Sequence, residues 1–178
     1  MKAKIKRISS NLYFAFFFFL ILVPVFTSVY WLFYNELPQT LVSINLPADL
    51  QVPPTLDATQ RGLGFLVSLL PLAAKVFAMV TIMRLLKLYQ EGKIFSAAHV
   101  HHFKRLGQTL IFYGCAGIIE STGLSLVMTM NNPPGQRMLT FGMSSDDITI
   151  FVIAAIVLML SWIMEEGREQ AEEQALTV

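Results

Sequence analysis

Four apolar runs, at about 12–34, 63–88, 108–130 and 148–164, divide the 178-residue chain, and the polar stretches between them differ in character. A helix rises 1.5 Å per residue, so crossing a bilayer core takes about 20 apolar residues. The first three runs reach that length, and the fourth reaches it once Trp162 and the residues before Asp147 are placed at the interfaces. The pattern predicts an all-α membrane protein, a single four-transmembrane-helix bundle over 1–178 with a polar tail at 165–178.

The polar stretches refine this picture. In the bridge from Gln90 to Gly107, Gly92 is a breaker and Ser96 a helix N-cap. Phe95 and Val100 then take the spacing of a hydrophobic staple. Val100, Phe103 and Leu106 recur with helical period among His99, His101, His102, Lys104 and Arg105, which predicts a short amphipathic helix at the membrane surface between helices 2 and 3. The stretch 35–62 carries Pro38, Pro47, Pro53 and Pro54 and cannot be one helix. Leu41 to Leu46 alternates with period two, as does Arg137 to Phe141 after the turn signal Pro133-Pro134-Gly135, so a small two-stranded extracytoplasmic cap is expected. Whether that cap contacts a ligand or is a plain lid stays open.

Composition agrees with the class: 14% of residues are charged, 54% are hydrophobic and mean hydropathy is +0.58, whereas a soluble domain carries roughly 25% charged residues. Lys2, Lys4, Lys6 and Arg7 resemble the start of a signal peptide. The run after them is too long and ends in Tyr30, Trp31 and Tyr34 with no small-residue cleavage site, so it is read as a retained span whose aromatic end lies in the interfacial belt. Lysine and arginine set orientation. Lys2, Lys4, Lys6, Arg7, Arg84, Lys87, Lys93, Lys104, Arg105 and Arg168 fall on one side, against Arg61 and Arg137 on the other, which places both termini and the bridge in the cytoplasm of a bacterial inner membrane.

Two charges interrupt the apolar runs. Lys75 in helix 2 and Glu120 in helix 3 lie at matched depth, and a lone mid-bilayer charge costs at least about 2.5–3.5 kcal/mol on insertion scales, so the two are expected to face one another. The pair suits a structural ion pair or a coupled transport site. Gly117, Ser121 and Ser125, at four-residue spacing, let another backbone approach closely and mark helix 3 as the central packing helix. The same stripe suits a homo-oligomer. Ser144, Ser145, Asp146 and Asp147 supply capping material for helix 4, which is expected to run on into water past Met164 with Arg168 pairing Glu165 and Glu172.

Catalytic and nucleotide-binding signatures are missing from the chain, so no enzyme activity is expected. His99 and His102 share a helix face but have no cysteine or carboxylate at ligand spacing; pH-dependent membrane contact is the more natural role, and no metal or cofactor is expected. The single Cys115 lies inside the third run and allows no intrachain disulfide.

Gly92-Lys93-Ile94-Phe95-Ser96, Val100 and Lys104-Arg105-Leu106-Gly107, with the end Gly167, Glu173, Leu176, Thr177 and Val178, resemble the signatures of the bacterial membrane family catalogued as domain of unknown function 2975. His99, Gln170 and Ala175 depart from that family's pattern. The resemblance implies a four-span inner-membrane protein, often encoded beside a small helix-turn-helix regulator, with no established activity. Two functional expectations follow. In the first, a regulatory or interaction protein presents Gly92, Phe95, Ser96, His99, His102, Lys104, Arg105, Gly107, Glu169 and Glu173 to a cytoplasmic regulatory protein and touches no nucleic acid itself. In the second, a small transport or channel component works through Lys75 and Glu120.

Overall fold

In the computed structural model, which describes residues 2–38, 53–92 and 96–176, the chain forms four long helices. They are α1 (Lys2–Leu32), α2 (Ala58–Gln90), α3 (Ala97–Thr129) and α4 (Ser145–Leu176), with one 3-10 turn at Tyr34–Glu36. All four are long and apolar enough to cross a membrane. At 33 residues, α2 and α3 each extend about 50 Å, longer than the roughly 30 Å hydrocarbon core of a bilayer.

The helices run up and down as a row. Each packs along the next in sequence, and no other helix pair among the described residues makes more than slight contact. Both termini therefore lie at the end of the row that holds the α2–α3 connection.

The starts of α2 and α4 use the same device. Asp57 and Gln60 form a capping box: the Asp57 amide donates to Gln60 Oε1 at 3.1 Å, and the Asp57 side chain accepts from the Gln60 amide. At α4 the Ser144 amide and hydroxyl both donate to Asp147 Oδ2 at 2.8 Å, while the Asp147 amide donates back to Ser144 Oγ. Ser96 precedes α3 with extended backbone, but its hydroxyl makes no capping bond, and the first amides, His99 and Val100, bond to the Ser96 carbonyl instead. Gly92, at φ +77°, ends α2 in the left-handed conformation that a side chain would strain.

Three expectations change. The amphipathic helix is not separate: 97–107 are the first turns of α3, which passes through Gly107 without a break. Gly107 serves packing, since a Cβ there would lie 2.6 Å from Leu158 Cγ on α4. The run Arg137–Phe141 is not a strand. Its period is nevertheless used, because the Met138 amide donates to Thr129 Oγ1 and the Thr140 amide to Ser125 Oγ, both at 3.0 Å, so alternate backbone groups dock on hydroxyls one turn apart on α3. The proposed partner strand, Leu41–Leu46, lies outside the described residues, as does Phe95 of the staple. Third, Trp31 and Tyr34 are 4% and 3% exposed and belong to the core rather than to an interfacial belt.

The turn after α3 forms as its residues require. The Gln136 amide donates to the Pro133 carbonyl, and Gly135 supplies the positive φ of +91°.

Candidate functional site

Four pairings fix the register of α2 against α3. Gln60 Nε2 donates to the Val127 carbonyl at 3.0 Å. Val67 packs on Gly123, the Lys75 ammonium lies 5.3 Å from the centre of the Tyr113 ring, and the Tyr89 and His99 rings meet at 4.4 Å. As α2 advances, α3 recedes nearly residue for residue. Tyr113 is thus the counterpart of Lys75, and Glu120 stands seven residues farther along α3, two turns or about 10 Å away. No ion pair within 4 Å joins Lys75 to Glu120; Glu120 instead lies beside Ser68 and within electrostatic range of Lys75. Equal distance from the helix ends did not make the two charges register partners. Lys75 is exposed on the surface of the row, and Glu120 is half-buried. Ser68, Lys75, Tyr113 and Glu120 thus lie close together where α2 meets α3, an arrangement of polar side chains that can bind or relay.

Across the α3–α4 seam, Gly107 meets Leu158, Gly114 meets Phe151 and Gly117 meets Asp147 Oδ1. On α4 the contacting positions alternate steps of four and three, Asp147, Phe151, Ala154, Leu158 and Ser161, with Ala154 and Ser161 completely buried. This is the seam of a shallow-angle helix pair. Of the stripe read from sequence, Gly117 does make a close approach. Ser121 bonds within its own helix to the Ile118 carbonyl, and Ser125 receives the Thr140 amide. Gly107 was the missed packing position, and its seven-residue spacing from Gly114 was the signal for it.

At the terminal end, the residues expected to form one surface separate into two groups. Lys104 and Arg105 are exposed, as are Gly92, Glu169 and Glu173. His99 is completely buried against Tyr89 and Phe103, and Gly107 is buried under Leu158, so neither can touch a partner. His102 is half-buried next to exposed His101. Among the described residues no three His, Cys, Asp or Glu side chains gather as a metal site. The tail stays helical, with Arg168 Nη1 on Glu172 Oε1 at 2.6 Å; the Glu165 pairing is not formed.

The opposite end is more elaborate than the sequence announced. The Asn35 amide group donates to the Leu56 carbonyl at 3.0 Å and its oxygen accepts from the Leu56 amide at 2.8 Å, tying the end of α1 to the approach of α2. Tyr34 donates to the Pro53 carbonyl at 3.1 Å, and burial pushes its phenol above the ordinary range. The Trp31 indole lies on Gly64, where a Cβ would overlap the ring, and donates to Ser68 Oγ. Trp31, Tyr34, Leu56, Leu124 and Met128 form one buried cluster there.

The family described as a protein of unknown function, DUF2975, matches residues 11–178. The chain belongs to the DUF2975 family. No curated protein and no solved structure matches it. For this DUF2975 chain the match takes in α1 from residue 11 and the whole of α2, α3 and α4, and so includes both Lys75 with its neighbours and the exposed charges of the terminal end.

Proposed function

We propose that the chain is a regulatory or interaction protein of a bacterial inner membrane, with both termini in the cytoplasm, where it presents a basic helix end and an acidic tail to a cytoplasmic partner. The observation that carries this is the continuation of α4 to Leu176. If the α3–α4 register is extended, the start of α3 falls beside about residue 168, so the last two turns of α4 stand clear of α3. Glu169, Glu172 and Glu173 are exposed there, and Arg84, Lys87, Lys104 and Arg105 are exposed on the neighbouring helix ends. Opposite signs on adjoining helix ends offer a partner orientation as well as attraction. The lysine and arginine bias supports the cytoplasmic placement.

The test is photocrosslinking in cells from Glu169 and Lys104, with lipid-facing Val152 as control. One cytoplasmic protein should be captured from both positions and lost when Glu169, Glu172 and Glu173 are changed to glutamine. Reporter fusions after Val178 that read extracytoplasmic would end the proposal.

A second reading, a transport component, draws on the mid-membrane Lys75 over the Tyr113 ring, with Ser68 and Glu120 close by. Replacing Lys75 and Glu120 by apolar residues abolishes function under that reading and spares it under the first.

A further inference from the structure

Between the end of α1 and the start of α2 lies a cavity of about 520 Å³ lined by Ser28, Trp31, Leu32, Arg61, Gly62 and Phe65. Its walls are apolar and aromatic, with one cationic group. Arg61 gives one Nη1 hydrogen to the Leu32 carbonyl at 2.9 Å, which closes the last turn of α1. Its Nε is buried with no partner among the described residues, and a guanidinium has five N–H donors in all. Its donor capacity thus exceeds what the protein uses. Gly62 is the second sign. It sits inside α2, where glycine weakens a helix, yet a Cβ there would meet nothing within 4 Å. Packing therefore does not require this glycine, in contrast to Gly64 two residues on under Trp31; the space beside it opens into the cavity.

Depth indicates the ligand. α2 is about 20 Å longer than the hydrocarbon core, so roughly 10 Å at each end, six or seven residues, lies in the headgroup layer. Arg61 and Gly62 fall in that layer, and Phe65 lies at its boundary with the acyl chains. A site with a cation at headgroup level and aromatic walls running inward fits an amphiphile rather than a soluble anion. Asp57, one turn before Arg61 at the start of α2, is already engaged by the Gln60 amide and by Asn131 Nδ2 at 2.9 Å.

We infer that this cavity binds the phosphate of an anionic phospholipid on Arg61, with the upper acyl chain laid against Trp31, Leu32 and Phe65.

The experiment uses the full chain in neutral detergent, with thermal unfolding followed in mixed micelles of phosphatidylglycerol, phosphatidylcholine or neither, and with inorganic phosphate alone. Phosphatidylglycerol should raise the midpoint by several degrees over phosphatidylcholine, because a ligand that binds only the folded state stabilises it by mass action. Gly62→Leu should abolish that difference by filling the cavity. Gly167→Leu, at another glycine whose Cβ would meet nothing, should keep it and so controls for helix propensity. Equal shifts with the two lipids, a full shift in Gly62→Leu, or a shift reproduced by inorganic phosphate would each overturn the inference. Photoactivatable phosphatidylglycerol gives a readout on the unsubstituted chain: adducts should map to peptides containing Leu32 and Phe65, and their absence there overturns the site even if Gly62→Leu fails to fold.

Discussion

At the end of the row away from the termini, hydrogen bonds join positions far apart in sequence: Asn35 to Leu56, Gln60 to Val127, Asp57 to Asn131 and Thr140 to Ser125. At the terminal end the tail shows the local bonds Arg168 to Glu172 and Gln170 to Glu166, and α2 meets α3 through the rings of Tyr89 and His99. One end is tied across α1, α2 and α3 around Trp31, while the other leaves charged side chains in solvent. The difference separates two tasks. Cross-chain polar bonds around a buried aromatic cluster fix helix order and register, whereas exposed charges on helix ends contribute little to stability and remain available for recognition.

The comparison is most exposed at Trp31. Trp31→Ala removes the largest ring of the cluster and empties the space over Gly64, so it should cost about 3–5 kcal/mol in reversible unfolding in detergent. A loss below about 1 kcal/mol would mean that the tied end does not hold the row together. Asn35→Ala should cost about 1–3 kcal/mol, because it leaves both backbone groups of buried Leu56 without their partner. Amide exchange at Leu56 is the local probe, and unchanged protection would contradict the assignment.

Between the ends, a double-mutant cycle tests the register itself. With Lys75 opposite Tyr113, the changes Lys75→Met and Glu120→Leu should act nearly independently, with a coupling under about 1 kcal/mol. A coupling of about 3 kcal/mol or more would show that the charges pair directly and that α3 sits two turns from the position described. The smallest effect belongs to the terminal end: Arg168→Ala should change stability by no more than about 0.5 kcal/mol, as for an exposed i, i+4 pair. Its expected consequence is on crosslinking from Glu169 rather than on the unfolding midpoint.

Parts of the candidate site were readable from residues and parts were not. Lys75 and Glu120 stand out in any apolar run, because a mid-membrane charge is costly wherever the helix is placed. Their partners were not readable, since depth is one coordinate and contact needs rotation and register as well. His99 looked like surface because it sits among charges in the sequence; packing of α3 against Tyr89 buries it completely. Gly107 looked like a boundary because glycine ends many helices, but here it admits Leu158. The alternation in Arg137–Phe141 suggested a strand, whereas the structure has no strand there and the Met138 and Thr140 amides donate to α3 hydroxyls. That signal is silent about whether the acceptor is another strand or, as here, hydroxyls on a helix.

By itself the sequence determined that four helices are long and apolar enough to span a membrane, where charge interrupts them, and that the chain resembles the DUF2975 family. Hydropathy is a sum over neighbours in the chain, so a one-dimensional reading captures it. Only the tertiary structure decided that the helices stand in a row, that Tyr113 is the counterpart of Lys75, that Trp31 is core, and that Gly62 lines a cavity while Gly64 makes room for the Trp31 ring. Those outcomes depend on which small residue lies opposite which large one across a helix interface. That matching is fixed by close packing between segments tens of residues apart and has no local signature.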